Sequence, residues 1–276
     1  MRTHPEIGHR ILAATPWLFP TAGGVACESG GTLQGSIVCG NVAPSSANWW
    51  NSASNGWKYT CVCTFPTVAG TWNITNNTAF VDMLAGYFYL ATNSPCINKG
   101  TNLPWTVQGT DLEGFPRILG GIADIGAFER SAGHYVAPNG GNVWPYDTWA
   151  SAATNICDAV GAARYPDVVY VTNGTYSGPE VIVTQRITVT GLTNNGPAIV
   201  NGGGLHRCLS IMTNAVVEGI TLSNGYSSEN GGGAHVTGGG ILRLSVVEGC
   251  RAETNGGGVS ILTTGTVDRC IIRLNS

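Results

Sequence analysis

Apolar and polar residues alternate in short runs along most of this chain, and Gly or Asn interrupts the runs. The pattern is plainest over residues 216–276, with Ile220 and Leu222, Ile241 and Leu244, and Val259 and Ile261. β-Branched residues dominate these runs, and such side chains fit a pleated, half-buried surface. No part of this region offers ten residues of helical periodicity free of Gly, which excludes a helical repeat.

One unit recurs within it. Val217-Glu218-Gly219-Ile220 matches Val247-Glu248-Gly249-Cys250 and then Val267-Asp268-Arg269-Cys270, with Asn224, Asn255 and Asn275 following. The unit returns after 30 and then 20 residues, while Gly231-Gly232-Gly233 returns as Gly256-Gly257-Gly258 after 25. Short strands joined by Gly and Asn turns, with loops of unequal length, predict an all-β parallel β-helix. In such a solenoid the coils stack at about 4.8 Å and equivalent positions form ladders. Asn tolerates the left-handed backbone of a tight corner, and stacked Asn side chains bond along the axis. Cys250 and Cys270 are expected to stack as small buried hydrophobes.

The same grammar returns at Leu33-Gln34-Gly35-Ser36 with Asn41 beyond it. Residues 46–80 then hold Trp49, Trp50, Trp57 and Tyr59. Sugar C–H faces are apolar, so these aromatics are candidates for substrate binding. Cover for the side of the solenoid is the other reading.

Two longer stretches carry a resemblance. Phe80-Val81-Asp82, Tyr87-Phe88-Tyr89-Leu90, Ser94-Pro95-Cys96-Ile97-Asn98-Lys99-Gly100, Asp111 to Arg117 and Ala123 to Glu129 form one series. It resembles the closing segment of bacterial right-handed parallel β-helix proteins, including those with choice-of-anchor C-terminal ends. Asn98 departs from that pattern, where Asp is usual. The resemblance implies a C-terminal cap in which Asp111, Arg117 and Asp124 form an internal polar network. Residues 134–190 resemble the opening of the pectate-lyase-like superfamily. Here Thr148 or Asp147 can cap a helix through about Gly161, and Val168 to Val171 reads as the first strand; the resemblance implies that this helix plugs the N-terminal end of a solenoid.

The expected organisation is therefore inverted. Residues 21–130 read as the closing half of a right-handed β-helix, and 131–276 as the opening half, truncated in mid-coil. The five residues Arg130 to His134 reach about 17 Å. The two caps of a joined helix would lie roughly 30 Å apart. One copy is then not expected to close on itself, and self-association through the open β-helix edges follows. Residues 1–20 read as a helical fragment. Met1-Arg2-Thr3-His4-Pro5 with Gly8 resembles a piece of the HD-GYP phosphodiesterase family, in which the residue matching His4 ligates metal. The His-Asp and His-His pairs that complete that family's site are missing, so the activity does not carry over.

Charge narrows the function. A net charge of −3 with 11% charged residues gives no footprint for nucleic acid. No run of 18 apolar residues supplies a membrane span. Low charge and 40 glycines fit an extracellular or cell-surface repeat protein, although the N-terminus shows no signal-peptide core. Glu218, Glu248 and Asp268 are expected to form one acidic ladder, near Arg243, Arg251 and Arg269. Stacked carboxylates can hold Ca²⁺ or act as acid and base. The candidates are Glu218, Glu248, Asp268 and Arg269 for catalysis, the three carboxylates for Ca²⁺, and Arg251 with the aromatics for substrate. A solvated outer ladder is the alternative. The expectation is an extracellular β-helix that binds or processes polysaccharide, a lyase or glycoside hydrolase if catalytic. The alternative is a non-catalytic surface, adhesion or structural solenoid.

Overall fold

The computed structural model is almost entirely β, with one short helix among the described residues. Those residues are 24–27, 32–41, 49–51, 57–58, 61–62, 72–75, 77–119, 121–131 and 133–276. His4 and the helical fragment expected over residues 1–20 lie outside them. The chain divides into two compact units between Arg130 and Ser131.

The second unit is a parallel β-solenoid of three long sheets, with a two-stranded one, Tyr226–Ser227 beside Arg251–Ala252. Its first sheet has six strands in the spatial order His134–Val136, Val168–Val171, Thr188–Gly191, Val216–Glu218, Ile241–Arg243 and Thr266–Asp268. The second has five: Gly174–Ser177, Ala198–Asn201, Ile220–Ser223, Val246–Glu248 and Ile271–Arg273. The third has four: Val181–Val183, Leu209–Ile211, Ala234–Val236 and Val259–Ile261. In the later coils, residues in register lie 25 apart, as Glu218 and Arg243 do.

The two-residue alternation explains each strand. In Val216-Val217-Glu218 the central Val is buried and its neighbours are half-buried, and Ile241-Leu242-Arg243 repeats this. Inward residues of the three sheets, among them Val217, Leu222, Val236, Leu242 and Val247, form one continuous core. Each such side chain contributes about 1.5–3 kcal/mol of burial. The corners between the first and second sheets are single left-handed residues: Gly219 (φ 67°), Leu244 (φ 52°) and Arg269 (φ 50°). Asn224, Gly249 and Leu274 do the same after the second sheet. The Gly231–Gly233 turn comes so close to the next coil that a Cβ on Gly232 would stand 2.0 Å from the Arg251 carbonyl oxygen.

The expected helix is shorter and later, Ile156–Ala162. Thr148 and Asp147 spend their side chains on Ser151 in a local turn, so neither caps a helix. Asn155 caps instead, accepting from the Asp158 N–H at 2.8 Å. The helix packs on His134–Val136, Val168–Val171 and Val181–Val183, and buries Ile156, Ala159 and Val160.

The first unit contains parallel strand pairs of the same kind. Val25–Cys27 pairs with Trp49–Asn51, Leu33–Gln34 with Trp57–Lys58, and Ile37–Val38 with Cys61–Val62. Gly35 (φ 60°) is the same left-handed corner. An antiparallel hairpin follows, Phe80–Asp82 against Tyr87–Leu90. Beyond it the backbone is held by the buried polar network that Asp111, Arg117 and Asp124 were expected to make, with Glu129 at its centre. Arg117 donates to Glu129 at 2.7 Å and to the carbonyls of Asp124 and Gly126. Glu129 also accepts from the Leu119 and Asp124 N–H groups. Asp111 accepts from the N–H groups of Glu113, Phe115 and Glu129. Burial raises both neighbouring carboxyls, Asp124 to about 6 and Glu129 to about 8, the latter also through the Asp124 charge.

Candidate functional site

The three carboxylates expected in one ladder are not brought together. Glu218 and Asp268 belong to the first sheet, and Arg243 stands in register between them. Glu248 belongs to the second sheet, where it faces Arg273. The reason lies in the coil geometry: the Val-Glu-Gly unit is a strand end plus a left-handed corner, and each coil has two such corners. Among the described residues no three His, Cys, Asp or Glu side chains group as a metal site. The Ca²⁺ set of Glu218, Glu248 and Asp268 thus shares no ligand sphere. Cys250 and Cys270 do not stack either. Cys250 lies between Gly225, whose N–H its sulfur accepts, and Asn275, whose Oδ1 accepts its own N–H. Cys270 instead donates to the Leu242 carbonyl. Of the Asn set, Asn224 is a corner residue. Asn255 joins a different row, its N–H donating to Asn230 Oδ1.

The structure assembles another line. On the outward face of the first sheet, Tyr135, Tyr170, Thr190, Glu218, Arg243 and Asp268 are consecutive rungs. All six are half-buried, because each covers its neighbours along the axis. Tyr135 and Tyr170 stack with ring centroids 5.4 Å apart, and Trp149 meets Tyr135 edge-on at 4.5 Å. Farther along, Arg243 Nε donates to Glu218 Oε2 at 2.6 Å. Arg269, at the exposed corner, donates to the adjacent Asp268 at 2.9 Å. The row therefore begins in aromatic rings and continues as hydroxyl, carboxylate, guanidinium and carboxylate.

Arg251, expected to bind substrate, lines a separate polar cleft of about 630 Å³. It pairs in register with Tyr226, whose hydroxyl donates to Glu253 at 2.6 Å and is raised above its ordinary range by that bond. Asn201, Asn224, Gly203, Gly204, Gly225 and Gly249 complete the lining. Trp49, Trp50 and Trp57 lie on paired strands, and their side chains, with Tyr59, fall outside the described residues. Tyr135, Tyr170 and Trp149 were not predicted as a site. The shared His-Tyr-Val and Val-Tyr-Val settings of the two tyrosines were the available signal.

Comparison with protein-family models, with curated proteins and with solved structures finds no match to this chain.

Proposed function

We propose that this chain is an extracellular polysaccharide-binding β-helix, with the glycan lying along the outward row of the first sheet. The observation that carries the reading is the row itself, an uninterrupted line from the Tyr135–Tyr170 stack to Asp268. A polymer of rings and hydroxyls can meet apolar surface at one end of such a line and hydrogen-bonding groups at each later rung. The resemblance of residues 134–190 to the opening of the pectate-lyase-like superfamily points to the same ligand class.

Binding fits better than cleavage. A general acid and base need carboxylates free to act on one bond. Here Glu218 is tied to Arg243, Asp268 to Arg269, and an Arg side chain stands between the two carboxylates. The test is retardation of the full chain in native gels containing soluble polysaccharides, with Arg243→Ala beside it. Retardation that Arg243→Ala loses supports the reading; no retardation in any polysaccharide, or equal retardation of both proteins, overturns it. Reducing-end and unsaturated-product assays on a retained polysaccharide should stay at background.

A structural solenoid is the second reading. The outward row Thr175, Ile199, Thr221, Val246 and Ile271 favours it, since five β-branched residues in register stiffen a sheet without needing a ligand.

A further inference from the structure

The glycan-binding reading leaves open whether the polymer is charged, and the following rests on that reading. We infer that it is neutral: an uncharged, hydroxyl-rich glycan that covers Trp149 and the Tyr135–Tyr170 stack and hydrogen-bonds along Glu218, Arg243 and Asp268.

The charge arrangement carries this. Residues 131–276 contain no Lys. Four arginines of the coils are each matched to one carboxylate: Arg207 to Glu180, Arg243 to Glu218, Arg269 to Asp268 and Arg273 to Glu248. Each of these four pairs is electrically balanced. A polyanion needs cations left unspent, in a line that follows its charges. Among the described residues, exposed Arg251 and Arg186 make no ion pair; Arg251 shares the other cleft with Glu253, and Arg186 stands over the Tyr165 ring, its Cζ 4.8 Å from the centroid. A uronate chain on the first-sheet row would meet the carboxylates of Glu218 and Asp268, and like charges there are repulsive.

A hydroxyl group suits the same row. It donates and accepts, so neighbouring hydroxyls can give to a carboxylate and take from a guanidinium. Glu218, Arg243 and Asp268 present acceptor, donor and acceptor at successive rungs of about 4.8 Å. Their side chains remain 22, 39 and 45% exposed, which leaves oxygen and N–H positions open. At the other end Trp149 is 45% exposed although Tyr135 packs against it. Its apolar surface is what a pyranose C–H face can cover, and that contact carries no charge preference.

The experiment compares neutral polysaccharides (a glucan, a mannan and a xylan) with polygalacturonate. The full chain is titrated against each by calorimetry, in about 50 mM and about 500 mM NaCl. Expected is binding to at least one neutral polymer, changing less than about twofold with salt, and weakened about tenfold or more in Trp149→Ala. Circular dichroism of that variant should match wild type, since Trp149 lies outside the buried core and is 45% exposed. Binding to polygalacturonate that collapses with salt would overturn the neutral assignment while leaving glycan binding standing. Neutral binding untouched by Trp149→Ala would overturn the placement on this row. Failure of every polymer to bind would overturn the assignment together with the reading beneath it.

Discussion

Gly225→Ala should damage the solenoid out of proportion to its single methyl group. A Cβ at Gly225 would stand 2.1 Å from the Gly232 carbonyl oxygen and 2.8 Å from the Cys208 sulfur. Gly232 cannot retreat, because its own α-carbon is pressed against the Arg251 carbonyl of the following coil, where a Cβ would meet oxygen at 2.0 Å. Relief requires a backbone shift of about 1 Å inside a close-packed wall. Overpacking of this kind costs about 1–3 kcal/mol, and backbone on both sides places this case near the upper limit. The smaller unfolded-state entropy of Ala returns about 0.4–1 kcal/mol. A net loss of about 2 kcal/mol is expected, read as a lower urea midpoint by circular dichroism. Gly161→Ala is the control: it lies in the helix Ile156–Ala162 with no heavy atom within 4 Å of the added carbon, and should gain about 0.5–1 kcal/mol. Gly225→Ala within about 0.5 kcal/mol of wild type would refute the coil register proposed for residues 220–236.

Three further perturbations follow from the same structure. Leu244 adopts a left-handed corner (φ 52°) with its side chain 53% exposed, so Leu244→Asn should raise stability by up to about 1 kcal/mol in urea titration; a loss would mean that the corner is misassigned. Glu129→Ala removes the buried acceptor shared by Arg117 and the Leu119 and Asp124 N–H groups and should cost about 3–5 kcal/mol, whereas an unchanged unfolding midpoint would show the network to be dispensable. Asp124 and Glu129 are raised from 3.8 and 4.5 to about 6 and about 8, so the folded first unit holds their protons more tightly than the unfolded chain. Their contribution is complete below the ordinary values and is lost as pH rises through the folded ones. Urea midpoints should therefore fall between about pH 5 and about pH 9, and a rise over that range would contradict burial as the dominant influence.

The strands and the corners were legible because they depend on local rules. Alternation places Val217 and Leu242 inward, and Gly219, Gly35 and Gly249 mark left-handed corners that any reader of the sequence can find. The assignment of strands to sheets was not legible from the repeat alone. Val217-Glu218-Gly219 and Val247-Glu248-Gly249 look like copies, yet the first closes a first-sheet strand and the second a second-sheet strand. Steps of 30 and 20 residues together make two coils of 25, so the self-match alternates between corners and hides the true period. The true partner of Glu218 is Arg243, in Ile241-Leu242-Arg243-Leu244, where Leu replaces the corner glycine and erases the likeness. The same displacement hid the chemistry: a ladder of like charges became a ladder of opposite ones once the register was right. Tyr135 and Tyr170 were hidden differently, because the segment containing the helix separates them in sequence while the sheet joins them in space. Charge balance along a solenoid face is thus a property of the coil period, and a period wrong by five residues exchanges a row of alternating charges for a row of like ones.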